Sequence, residues 1–215
     1  MYTPTQFREE RPEVLSKAIR DIQLAVLVTA TPGTYHATHA PMVLKEQDGV
    51  WTLEAHFARP NPHGAALASG PLPSLAIFQG PQAYVSPSWY ETKQIHGKVV
   101  PTWNYIAVHA HGPLEIIEDG TWLLQHLNDL TDANEGYREQ PWSVSDAPGD
   151  FIGKLSRAII GLRLTVEKVE GSWKMAQHRS EGDRIGTREG LAASPRAGDQ
   201  AVAEIMRELE ARREA

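Results

Sequence analysis

Apolar and polar residues alternate along most of this chain instead of recurring every third or fourth position, and such alternation predicts strands. Residues 50–57 are the cleanest case: Trp51, Leu53, Ala55 and Phe57 share one face, while Thr52, Glu54 and His56 share the other. That strand is wet, or ligand-facing, on one side. Residues 24–30 form a β-prone run ended by Thr31-Pro32-Gly33, with 38–44 as its antiparallel partner. Residues 75–78, 84–86 and 104–117 add three strands, with Gly80-Pro81 and Gly112-Pro113 as breaks or bulges; these runs make at least six strands, enough to close a small barrel. A further strand over 160–169 turns at Glu170-Gly171 into residues 172–176.

Helical spacing is confined to four places: Val14, Leu15, Ala18 and Ile19 behind Pro12; Trp122, Leu123, His126, Leu127 and Leu130 behind Asp119; Phe151, Leu155 and Ile159; and Val202, Ile205, Met206 and Leu209. The second of these is expected to cover the barrel. The polar residues 131–148 between helices read as a lid or a dimer arm. The expectation is a mainly β chain with peripheral helices, α+β in class. It is read as one domain over 1–191 and a linker with a C-terminal helix over 192–215.

Composition narrows the functional classes. A chain of 215 residues without cysteine excludes disulfides, thiolate metal sites, iron–sulfur clusters and cysteine nucleophiles. No charged leader with an apolar core and no apolar run of membrane length occurs, so a cytoplasmic protein without a membrane partner is expected. The net charge of -6 repels nucleic-acid backbones overall, leaving Arg184, Arg188 and Arg196 as the one candidate basic patch. His36-x-x-His39 and His109-x-His111 bring imidazoles near one another, but no third ligand stands at a matching spacing, so no metal site is expected. No G-x-S-x-G, Walker or Rossmann pattern is present.

The candidate chemistry lies in two stretches. Residues 84–105, YVSPSWYETKQIHGKVVPTWNY, set Trp89, Trp103 and three tyrosines beside Ser86, Thr102 and Asn104 at two strand ends. Flat rings beside short hydrogen-bonding side chains suit a flat polar heterocycle; the alternative is a hairpin whose aromatics pack over a barrel end. In the second stretch, His56-Phe57-Ala58-Arg59-Pro60-Asn61-Pro62-His63 places Asn61 as an N-cap and Pro62 at a first helical position. Free N–H groups there, with the Arg59 fork, would seat a phosphate; an ordinary capped helix is the alternative.

SPSWY followed by VPTWNY resembles the signature of the PaiB family, described as FMN-binding negative transcriptional regulators with an FMN-binding split β-barrel. His56-x-Ala58-Arg59-x-Asn61-Pro62 is similar to the family's H-x-A-R-x-N-P segment, with Pro60 in place of a small residue that has an N–H. Thr38-His39-Ala40-Pro41 resembles its S/T-H-x-P strand. Lys174-Met175-Ala176-Gln177-His178-Arg179 is similar to its K-x-S-Q-N-R motif, with Ala176 and His178 as departures.

The resemblance implies FMN at a homodimer interface. It implies a phosphate near His56, Arg59 and Asn61, and a ring or ribityl chain framed by Ser86, Trp89, Thr102, Trp103 and Asn104. Gln177 and Arg179 match the motif, and Arg179 is expected to stabilise negative charge on the reduced flavin. Two roles stay open: a regulator, whose contact with DNA the net charge disfavours, and a flavin-dependent oxidoreductase using a nicotinamide or other small reductant. A haem-handling barrel is a third class, resting on the histidine count alone. No catalytic residue is assigned.

Overall fold

The computed structural model describes residues 1–214. In chain order its strands are β1 (Arg8–Glu9), β2 (Leu24–Thr31), β3 (Thr34–Pro41), β4 (Val43–Gln47), β5 (Val50–Ala58), β6 (Leu72–Val85), β7 (Thr102–Ile117), β8 (Ile159–Thr165) and β9 (Lys168–Lys174). Its helices are α1 (Pro12–Ile22), α2 (Pro62–Ala66), α3 (Thr92–His96), α4 (Gly120–Glu135), α5 (Gly149–Ser156), α6 (Glu181–Ala192) and α7 (Ala197–Glu214). The hydrogen-bonded order β3-β2-β6-β7-β8-β5-β4 does not close on itself, and β9 pairs with both β1 and β7. The β1–β9, β2–β3, β2–β6, β4–β5, β5–β8 and β7–β8 pairs are all antiparallel. The mainly β, α+β expectation holds, in an open sheet.

By packing, the chain falls into two units. The first comprises residues Met1–Leu15, Gln79–Val108 and 170 onward; the second comprises Ser16–Phe78 and His109–Val169. The C-terminal helix α7 belongs to the first unit, where it packs on α6 and buries Val202, Ala203 and Met206. The core of the second unit is built from inward rows such as Leu53, Ala55 and Phe57 of β5 and Leu162 and Leu164 of β8. Asp119 caps α4 by accepting from Thr121 and Trp122 N–H groups, and the helix buries Leu123 and His126.

Four expectations change. The run 38–44 is two strands: β3 ends at Pro41, which has no N–H to extend a ladder, and β4 pairs with β5 instead of β2. Gly80-Pro81 and Gly112-Pro113 interrupt neither β6 nor β7, since the φ of proline is compatible with extended backbone. The expected turn at Glu170-Gly171 is not there: Val166-Glu167 links β8 to β9, which pairs with β1 and β7 instead of β8, and Gly171 lies inside β9 opposite Glu9. A Cβ there would stand 2.4 Å from Leu15 Cδ2 and 2.8 Å from the Glu9 carbonyl, so Gly171 answers a close approach, not a turn. In 131–148, α4 runs on to Glu135, whose carboxylate accepts from Trp142 N, and a short 3-10 turn at Val144–Asp146 follows.

Candidate functional site

In the second unit, β5 delivers the chain into the bend that holds Arg59. The Arg59 N–H donates to the Ala158 carbonyl at 2.9 Å, its Nε to the Arg157 carbonyl at 2.8 Å and its Nη1 to Glu118 Oε1 at 3.1 Å. The remaining terminal nitrogen makes no hydrogen bond among the described residues, and the side chain is 47% exposed. The guanidinium is therefore braced on one side with one arm open.

Asn61 caps α2 as expected, its Oδ1 accepting from His63 N at 2.9 Å. The expected row of free amides is not there. His63 N is spent on that cap, Gly64 N donates to the Asn61 carbonyl, and Pro62 has no N–H. Of the donors expected at the start of this five-residue helix, the Arg59 side chain is the one left open.

Sequence reasoning missed His63. It is 2% exposed, with Nε2 at 2.8 Å from Thr29 Oγ1 and Nδ1 at 3.1 Å from Thr38 Oγ1. Thr29 also meets Ser74 Oγ at 2.6 Å, and Asn61 Nδ2 donates to Thr38 at 3.3 Å. One ring nitrogen donates and the other accepts, so the neutral imidazole ties the bend to β2 and β3. Burial, aided by His36 stacked on it, holds the His63 pKa down to about 4. The only sequence signal was its place beside the Asn61-Pro62 cap.

His56 points away from a solvated role. Its Nδ1 lies 3.1 Å from His126 Nε2, His126 stacks on Trp122 at 5.4 Å, and the Arg163 guanidinium covers that indole at 5.6 Å. Burial lowers the pKa of both imidazoles; that of His126, pressed further by His56, falls to about 4.

The first unit holds the other expected residues. Trp103 is 51% exposed and meets Tyr84 edge-on at 6.1 Å, leaving an indole face open. Ser86 Oγ accepts from Ser88 N and keeps its own proton to donate, and Thr102 Oγ1 accepts from Lys174 Nζ at 2.9 Å. Trp89 is partly committed to packing: a Cβ on Gly190 of α6 would come within 2.4 Å of its ring.

Two expected contacts are turned inward. Asn104 is fully buried, its Nδ2 3.5 Å from Met206 Sδ and its Oδ1 without a partner. It shares the inward row of β7 with Ile106 and Val108, so it cannot serve a solvent-reaching ligand as it stands. Gln177 folds back on its own turn, accepting from Met175 N at 2.7 Å and donating to the Trp173 carbonyl. Arg179 lies over the Tyr90 ring at 4.6 Å.

Residues 1–168 match the family described as "Putative FMN-binding domain". The chain belongs to this family. The FMN-binding-domain chain is 34% identical to an uncharacterized protein of Aspergillus fumigatus, covering 89% of this chain and 90% of that one. It is 29% identical, over 96% of each, to Protease synthase and sporulation protein PAI 2 of Bacillus subtilis, which bears out the PaiB resemblance. The solved structure of the FAD and heme binding protein from Mycobacterium smegmatis superposes with a TM-score of 0.57 at 16% identity, covering 83% of this chain and 78% of that one. At that identity the likeness is one of fold, and the fold is the split-barrel type expected.

For a flavin phosphate, this family member offers the open arm of Arg59 but no free helix-start amide. For a ring it offers the open face of Trp103 and the Ser86 hydroxyl. Each is judged within its own unit: the Arg59 arm suits a phosphate, and the Trp103 face with the Ser86 hydroxyl suits a planar polar ring. Among the described residues no helix is long and apolar enough to cross a membrane.

Proposed function

We propose that this chain holds FMN and works as a homodimeric redox flavoprotein. The observation that carries the reading is the family match over residues 1–168, supported by the braced Arg59 with one free arm. Bound FMN supplies reversible transfer of a hydride or of single electrons at its ring. The role of this chain's own residues is to seat and tune it. Arg59 takes the phosphate, and Trp103 and Ser86 take the ring end.

A regulatory role through direct DNA contact has less support. Of its three arginines, Arg184 and Arg188 both turn to Glu210, and the net charge is -6. The exposed apolar side chains Ile95, Val100, Tyr84 and Trp103 of the first unit support self-association. A cytoplasmic setting goes with this reading.

Protein purified without added cofactor is expected to carry flavin, or to take it up in a fluorescence titration. Arg59→Ala is expected to weaken FMN by about tenfold or more while leaving riboflavin within about twofold, since riboflavin has no phosphate. Failure of wild-type protein to bind either flavin overturns the reading, and an equal loss for both flavins removes Arg59 from the phosphate.

A further inference from the structure

We propose that Lys174 and Arg179 form a receptor for the carboxylate or phosphate group of a second small molecule, the substrate partner of the flavin. The inference rests on the proposed function only in calling that molecule a substrate; the anion site itself is argued from the first unit alone.

β9 ends at Lys174, and the chain then turns tightly. Ala176 takes φ 60°, Arg179 N donates to the Ala176 carbonyl at 2.9 Å, and Gln177 clamps Met175 N and the Trp173 carbonyl. Lys174 leads into this locked turn and Arg179 ends it. Both cations bear on the same imidazole, that of His178, whose pKa is lowered by burial first and then by Arg179 and Lys174. The two positive groups therefore share one neighbourhood.

Neither has a carboxylate. Lys174 Nζ spends one of its three donors, on the neutral Thr102 hydroxyl, and Arg179 rests on a π face with its Nε buried and unpartnered. Beneath it Tyr90 is 2% exposed, and its hydroxyl also lacks a partner. Asp183, the acid that bears on Tyr90, directs its oxygens at Thr92, accepting from N at 2.9 Å and from Oγ1 at 3.0 and 2.8 Å.

The contrast within the unit is sharp. Four of its described cations are half-buried; Arg184 and Arg188 share Glu210, and only Lys174 and Arg179 go without an acid. Two half-buried cations in one neighbourhood raise each other's cost, and an anion relieves it. A point charge and a planar fork together fit an oxyanion with at least two oxygens.

The test is calorimetric titration of full-length, flavin-free protein in low-salt buffer with inorganic phosphate and, separately, with succinate. Saturable binding of phosphate alone assigns the receptor to phosphoryl groups, and binding of succinate assigns it to carboxylates. Lys174→Met and Arg179→Gln should each weaken that binding about tenfold or more, and Lys174→Arg and Arg179→Lys should retain part of it.

No saturable binding of either anion overturns the proposal, as does wild-type affinity in both Lys174→Met and Arg179→Gln. Displacement of the bound anion by FMN but not by riboflavin also overturns it, because the cluster would then be the flavin's own phosphate seat. Anion binding by a protein that takes up no flavin would sink the proposed function and leave the receptor standing.

Discussion

The bend around Arg59 in the second unit and the turn around Arg179 in the first are built from similar residues and finished in opposite ways. At the bend the polar groups answer one another: both His63 nitrogens, both ends of the Asn61 amide and two of the three Arg59 nitrogens are engaged. At the turn they are left short, with Lys174 holding one acceptor and the Arg179 Nε and Tyr90 hydroxyl holding none. A satisfied network fixes geometry before anything binds, whereas unsatisfied buried donors cost free energy until something does. The bend thus resembles a rigid bracket, and the turn an open socket.

The largest test of the contrast is acid. His63 and His126 titrate near 4 in the folded chain, against about 6.5 in an unfolded one, so the unfolded state binds more protons as pH falls between those values. Their contribution is fully present above about pH 6.5 and is lost progressively toward pH 4, on the order of 2 kcal/mol for each. Urea unfolding at pH 7, 5.5 and 4.5 reads this directly. Equal stability at the two ends of that range would mean that the bend's imidazoles are not held neutral.

Next in size is His63→Ala, which strips partners from the Thr29 and Thr38 hydroxyls and opens a cavity. It should cost about 3 kcal/mol in the same unfolding measurement at pH 7. A loss below about 1 kcal/mol would show that the hydroxyls find other partners and that His63 is no keystone.

Much of this was legible in the sequence, and the failures have physical causes. Alternation located β5 and the aromatic strand ends, since a half-buried strand leaves a period of two. The same alternation placed Asn104 in the row of Ile106 and Val108, yet its amide suggested a ligand contact; the row was the better guide. Helix α6 went unread because Gly182, Gly186 and Gly190 argue against a helix by propensity. Those glycines recur every four residues because Glu91 and Trp89 lie against that face, a tertiary demand that no local pattern announces. Gln177 matched a motif by type while its work is internal to the turn, and Tyr90, counted among the three tyrosines of the aromatic stretch, is buried in the core.

The smallest expected effect discriminates most finely. Lys174 carries a half-buried charge compensated by one neutral hydroxyl. Lys174→Met keeps the length and apolar stem while removing the cost of that charge, and Thr102 Oγ1 loses a single donor. The two terms oppose each other at similar size, so stability in urea should change by less than about 0.5 kcal/mol in either direction. A structural lysine would instead cost a kilocalorie or more on removal. The bracket and the socket are then separable in one pair of variants: His63→Ala loses stability, whereas Lys174→Met keeps stability and loses only its anion. If Lys174→Met unfolds as readily as His63→Ala, the turn is a second bracket, and the difference between the two regions disappears.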